Sequence, residues 1–180
     1  MENLNIARPD KSEYAPYYEK YMSLVPAGDI IATLGQQLES TLATLRGITE
    51  EQANSRYAEG KWSVKELIGH IIDSERIFGY RALRFARNDQ TPLPGYEQDD
   101  YVNNAKFGEL SLSDLAEELE HLRKANLCLF RQFDAEAWQR QGEANEQKAS
   151  VRAIVHIIAG HETHHMNILR TRYLSSTSAA

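Results

Sequence analysis

The sequence predicts an all-α four-helix bundle, on three observations. Four long stretches repeat apolar residues every three or four positions, and no segment shows the two-residue alternation of a strand. The five prolines and ten glycines of the 180-residue chain fall mostly between those stretches.

The elements follow in order. A tyrosine-rich start (Tyr14, Tyr17, Tyr18, Tyr21) reads as a short helix packed on the bundle, its rings expected in the core rather than on a ligand. The first long helix covers roughly 28–46, with Ile31, Leu34, Leu38, Leu42 and Leu45 on one stripe and Gly47 ending it. Thr49 to Ser55 reads as a short helical turn. The second long helix starts at a capping box, Ser63-Val64-Lys65-Glu66, with Trp62 placed to staple onto Leu67, and continues to about Arg87. The third begins near Ser111 and carries Leu112, Leu115, Leu119, Leu122, Phe130 and Phe133 on one side. The fourth runs from about Ser150 to Tyr173. Residues 89–110 are too many for a tight bundle connection. A connection of that length can cross the bundle and set the second and third helices parallel, giving an up-down-down-up order. One domain is expected over residues 1–180.

Composition narrows the function classes. Hydrophobic residues at 42% and charged residues at 26% are those of a globular protein. No apolar run approaches a membrane span, and Met-Glu-Asn-Leu-Asn lacks the blocks of a signal peptide, so a cytoplasmic protein without a membrane partner is expected. A single cysteine, Cys128, excludes an internal disulfide and is expected as a packed thiol. A net charge of −6 argues against nucleic acid as a partner.

The fourth helix carries His161-Glu162-Thr163-His164-His165. On a helix His161 and His165 stand one turn apart on one face, close enough to share a metal ion. Zinc peptidases with this pattern usually draw their third ligand from downstream, as His or Glu. Residues 166–180 contain no His, Cys, Asp or Glu, so a third ligand must lie upstream. His121 projects away from the leucine stripe, which removes a di-iron reading built on Glu118 and His121; His156 projects to the polar side of its helix. His70 flanks the apolar arc of the second helix. It lies roughly 10 Å from that helix's start, and the His161/His165 pair roughly 12–18 Å from the end of the fourth. If those helices are antiparallel, the three are nearly level, which agrees with the crossover. Three neutral imidazoles would leave a coordination position open, as catalytic sites do. Glu162 borders the same arc as a candidate general base or supporting partner. Glu75 projects into an apolar stripe and needs a buried partner, an arginine or a histidine.

The stretch from Gly60 to Arg76 (GKWSVKELIGHIIDSER), the following Arg81 to Gly95, and the His161 to Leu169 segment resemble the DinB/YfiT-like superfamily. The resemblance implies an up-down-down-up bundle with a divalent metal, often nickel or zinc, held by His70, His161 and His165. It also implies a metal-dependent hydrolase, or a transferase using a low-molecular-weight thiol such as bacillithiol, mycothiol or glutathione, and a homodimer. Thiol transfer needs a pocket with cations for the carboxylates of the carrier thiol. Arg81 and Arg84, which project near the His70 side, are candidates for these or ordinary surface charges, and Tyr96 and Tyr101 are candidates for lining the pocket. The competing reading is a metal-binding or purely structural bundle.

Overall fold

In the computed structural model, residues 6–175 are described; the five N-terminal residues that argued against a signal peptide lie outside them. Four long helices form the bundle: α2 (Ile30–Arg46), α4 (Val64–Ala86), α6 (Leu112–Phe130) and α8 (Val151–Ile168). Shorter helices join them: α1 (Glu19–Met22), α3 (Glu50–Asn54), α5 (Gln98–Asn104) and α7 (Ala135–Gln139). Past α8 the chain continues as a π-helical stretch over Leu169–Leu174. No helix of the described residues is long and apolar enough to cross a membrane.

Side-chain caps fix where the helices begin. Asp29 accepts the Ile31 and Ala32 amides, and Ser150 accepts the Ala153 amide. Thr49, Ser63 and Ser111 complete reciprocal boxes with Gln52, Glu66 and Asp114. Each cap satisfies amides that have no partner inside the helix.

Contacts along the helices give their directions. The Phe107 ring lies beside Gly69, Glu75 holds Arg123, and Asn126 abuts Gly79, so α4 and α6 run parallel. A Cβ on Gly69 would come within 2.5 Å of that phenyl ring, so only glycine admits this approach. Tyr173 donates to the Trp62 carbonyl, His70 meets His161, and Arg140 donates to the Ala86 carbonyl; α4 and α8 therefore run antiparallel. Arg123 reaches the Leu34 carbonyl while Glu50, just after α2, accepts the Leu112 amide, making α2 antiparallel to α6. These contacts define an up-down-down-up order, with residues 89–110 crossing the bundle. The crossover is not plain loop: it contains α5 and a 3-10 turn at Phe107–Glu109.

The interior has two apolar clusters with a polar layer between them. One gathers Leu34, Phe78, Phe85, Leu127, Phe130 and Ile158, the other Leu38, Ile68, Ile72, Leu119, Met166 and Leu169. On every long helix the switch between clusters falls where a buried polar residue or a buried backbone contact appears. Glu75 lies between Ile72 and Phe78, Arg123 between Leu119 and Leu127, and His161 and Glu162 between Ile158 and Met166.

Three expectations are corrected. The chain is not wholly without strands: β1 (Gln141–Ala144) and β2 (Gln147–Ser150) form an antiparallel hairpin. Asn145 and Glu146 turn it with φ of 53° and 59°, the left-handed values a two-residue hairpin turn uses. Its strands are four residues each and largely polar, too short for alternation to register. Cys128 is exposed rather than packed. His156 is buried, 3% exposed, because α8 is covered even on the side its polar residues suggested was open. Its Nδ1 lies 2.8 Å from the Arg152 carbonyl, and the Arg152 side chain pairs with Glu13. His121 is exposed and Glu118 pairs with Arg76, as a solvated face requires.

Candidate metal centre

The polar layer brings His70 of α4 together with His161 and His165 of α8. His161 Nε2 lies 3.1 Å from His70 Nε2 and 3.1 Å from His165 Nε2. One ligand atom from each histidine lies within 4.8 Å of the others, and all three residues are buried. The spacing of i and i+4 on α8 supplies two of them, and the antiparallel run of α4 brings the third level.

Burial sets their charge. It holds the His70 pKa down at about 4. Burial, with the other imidazoles and Lys20 nearby, takes His165 to about 3. His161 lies well below its ordinary value for the same reasons, burial first. All three are therefore neutral at pH 7, with nitrogen lone pairs available. One ring nitrogen offers either one proton or one lone pair, yet His161 Nε2 faces two other nitrogens. Protons alone cannot satisfy this cluster, and a cation can. Two of the three separations, at 3.1 Å, also approach the roughly 3.3 Å edge of a tetrahedron whose bonds are about 2.0 Å. The donor set thus fits a borderline divalent ion. His165 Nδ1 is buried without a hydrogen-bond partner.

Acid should weaken the metal-free fold. Histidines of the unfolded chain titrate near 6.5, whereas His70 and His156 do so at about 4 and His165 at about 3. Between these values the unfolded chain binds more protons, so stability falls as pH drops below about 6.5. The expected loss is about 2–5 kcal/mol between pH 7 and 5.5 for the buried histidines together. Denaturant unfolding of chelator-treated protein at the two pH values checks it; equal stabilities would contradict burial of neutral imidazoles.

Behind the histidines lies a buried ionic network. Arg123, 0% exposed, donates through Nε to Glu75 Oε1 at 2.7 Å and through Nη2 to Glu75 Oε2 at 2.7 Å. The same Nη2 reaches Glu162 Oε2 at 2.7 Å. Thr41 donates to Glu162 Oε1 at 2.6 Å, and Asn126 to Glu75 Oε1 at 3.1 Å. Glu75 has found the arginine it needed. Glu162, the candidate general base, lies beside His161 in sequence but has both oxygens engaged in this network. Sequence reasoning missed Arg123 itself, although it falls on the stripe formed by Leu115, Leu119, Asn126 and Phe130.

His161 lines a cavity of about 410 Å³ walled by Tyr17, Tyr18, Tyr21, Phe78, Arg81 and Tyr96. The Tyr21 ring stands edge-on to His161 with centroids 5.3 Å apart. The N-terminal tyrosines therefore divide: Tyr14 and Tyr21 are buried, yet Tyr17, Tyr18 and Tyr21 also face this cavity, against the expectation of a purely core role. Burial raises the pKa of Tyr18, Tyr21 and Tyr96, so the wall offers neutral hydroxyls. A Cβ on Gly160 would stand 2.2 Å from the Tyr21 carbonyl oxygen, which shows how closely α1 presses on α8 before His161. His165 lines a second cavity, of about 300 Å³, with Trp62 and Tyr173. Arg84 does not face the 410 Å³ cavity; it pairs with Asp89 and Tyr80. Tyr101 faces a neighbouring one with Tyr96 and Arg81. A larger cavity, of about 560 Å³ between α2 and α6, has none of the three histidines in its lining. Size therefore does not identify the site here, and the converging donors do.

Fold and site together define a helical bundle with a cluster of three buried imidazoles, one of which, His161, lines a cavity. Residues 33–169 match the DinB superfamily, and the chain belongs to it. A relative from Bacillus pumilus, named "Putative metal-dependent hydrolase", is 28% identical over 162 residues, covering 85% of this chain and 87% of its own. Among solved structures, YfiT from Bacillus subtilis is described as "a probable metal-dependent hydrolase with an unusual four-helix bundle topology". It is 15% identical over 91% of this chain and 92% of its own, with a TM-score of 0.64. A mycothiol-dependent maleylpyruvate isomerase is 13% identical over 81% of this chain and 61% of its own, again with a TM-score of 0.64. At these identities both structures speak for the fold.

Proposed function

We propose that the chain is a metal-dependent enzyme whose His70, His161 and His165 hold one divalent cation, nickel or zinc, at the floor of the 410 Å³ cavity. The observation that carries this reading is the convergence of three buried neutral Nε2 atoms beside that cavity. When bound, such a cation supplies Lewis acidity and lowers the pKa of a water or thiol that reaches it. The protein's part is to hold the donors neutral, so that the cation keeps its full charge. The aromatic walls exclude bulk water and orient a small substrate. Glu162 enters as the carboxylate that fixes α8 behind His161; proton transfer would require it to release Thr41 or Arg123. Names among the relatives support hydrolysis, and the mycothiol-dependent neighbour supports a low-molecular-weight thiol as nucleophile.

Metal-loaded protein should turn over members of one of two panels: small hydrolysable esters and amides, or thiol plus electrophile pairs. His70→Ala should lower that turnover by on the order of 100-fold or more, a barrier increase of roughly 3 kcal/mol. Inactivity of the loaded protein on both panels would leave a metal-binding module in place of an enzyme.

A further inference from the structure

Arg81 is 5% exposed, and it is one of the residues that line the cavity of His161. Buried charges in folded proteins are paired, because taking an ion out of water without a counter-charge is expensive. Arg123, the other deeply buried arginine, obeys the rule with two carboxylates. Arg84, one turn beyond Arg81, has Asp89. The acceptor Arg81 has found is neutral, the Pro94 carbonyl at 3.0 Å. Its guanidinium carbon lies 5.7 Å from the centre of the Phe78 ring, and that ring lies 6.2 Å from His161. No carboxylate among the described residues forms an ion pair with it. Glu97 and Asp99 line the same cavity but are exposed, at its rim. Lys20 stacks on Tyr17 and Tyr21, at 3.9 and 4.8 Å from their ring centres, and adds positive charge near the mouth.

We propose that Arg81 is the receptor for the carboxylate of a small carboxylic acid that enters this cavity. The carboxylate supplies the counter-charge that Arg81 lacks, and the guanidinium fork matches its two oxygens. The body of the acid lies against Phe78 and Tyr18, and its far end reaches His161. That this end meets a metal rests on the function proposed above; the binding of the acid does not. Pro94 fixes one edge of the guanidinium in advance, which reduces the ordering cost of binding.

The carboxylate can belong to the substrate or to an acidic thiol co-substrate, and two matched probe pairs separate these. Benzoate against benzamide tests a substrate acid; N-acetylcysteine against its amide tests the thiol. Calorimetric titration of the metal-loaded protein should show the acid of at least one pair binding about 10-fold tighter than its amide, the scale of a charged hydrogen-bonded pair. The pair with the larger ratio identifies the source. Arg81→Gln should bring that ratio to about one with metal content unchanged, and Arg81→Lys should keep part of it, which separates lost charge from lost folding. The same titration on His165→Ala protein freed of metal distinguishes the receptor. Persistence of the ratio there supports Arg81 whether or not the metal assignment stands. Equal binding of acid and amide in both pairs, or a ratio that survives Arg81→Gln and vanishes with the metal, overturns the proposal.

Discussion

Replacing Arg123 with methionine should cost the fold about 3–5 kcal/mol, the usual penalty for removing one partner of a buried ion pair. The side chain is fully buried and ties three helices to α6: α4 through Glu75, α8 through Glu162 and α2 through the Leu34 carbonyl at 3.0 Å. Methionine fills much of the volume, so the loss comes from two carboxylates left in an apolar interior with Asn126 and Thr41 as their remaining side-chain donors among the described residues. At about 2–4 °C per kcal/mol for a chain of this size, the melting temperature should fall by roughly 6–20 °C. Adding Glu75→Gln and Glu162→Gln to the methionine variant should recover a large part of that loss, because the network then holds no charge. Thermal unfolding of the single and triple variants decides it. A single variant within about 2 °C of the parent would mean that the network contributes little.

Chelation of the bound metal is the second large effect expected. A ligand that binds only the folded state stabilises it by RT ln(1 + [L]/Kd), about 4 kcal/mol at a thousand-fold excess over Kd. Here the three donors come from α4 and α8, so the ion would also cross-link two helices far apart in sequence. Stripping it should lower the melting temperature by roughly 8–16 °C, and returning a divalent ion should restore it. The buried, neutral, mutually facing imidazoles should make the stripped protein the less stable form at every pH from 6 to 8. Melting curves that do not move with chelator and return of metal would contradict a cation held by these residues.

Much of this was legible in the sequence, because the bundle writes itself in periodic leucines and in caps such as Ser63/Glu66 and Ser111/Asp114. The approach of the three histidines was legible too, since helical rise and the length of the crossover fix their depth. What escaped notice depended on neighbours. Glu75 announced that it needed a partner, but an arginine on a leucine stripe reads equally well as a side chain reaching for solvent. His156 projects to the polar side of its helix, and projection of one helix does not show that this side is buried. Cys128 follows Leu127, and the roughly 100° turn per residue was enough to carry it from the packed side to the surface. The hairpin escaped because four-residue polar strands carry no periodic signal. Arg81 and Arg84 looked alike, and only the structure separates the one lining the cavity from the one paired with Asp89.

The central claim is that His70, His161 and His165 hold a metal, and elemental analysis of the purified protein beside its His161→Ala variant tests it most directly. The account predicts one divalent ion per chain in the parent, with X-ray absorption at the metal edge showing imidazole nitrogens at about 2.0–2.1 Å if the ion is zinc. It predicts no stoichiometric metal in the variant, since His161 Nε2 is the atom that both other histidines approach to 3.1 Å. A His161→Ala protein that remains folded and still carries one ion per chain at the same edge spectrum would contradict it.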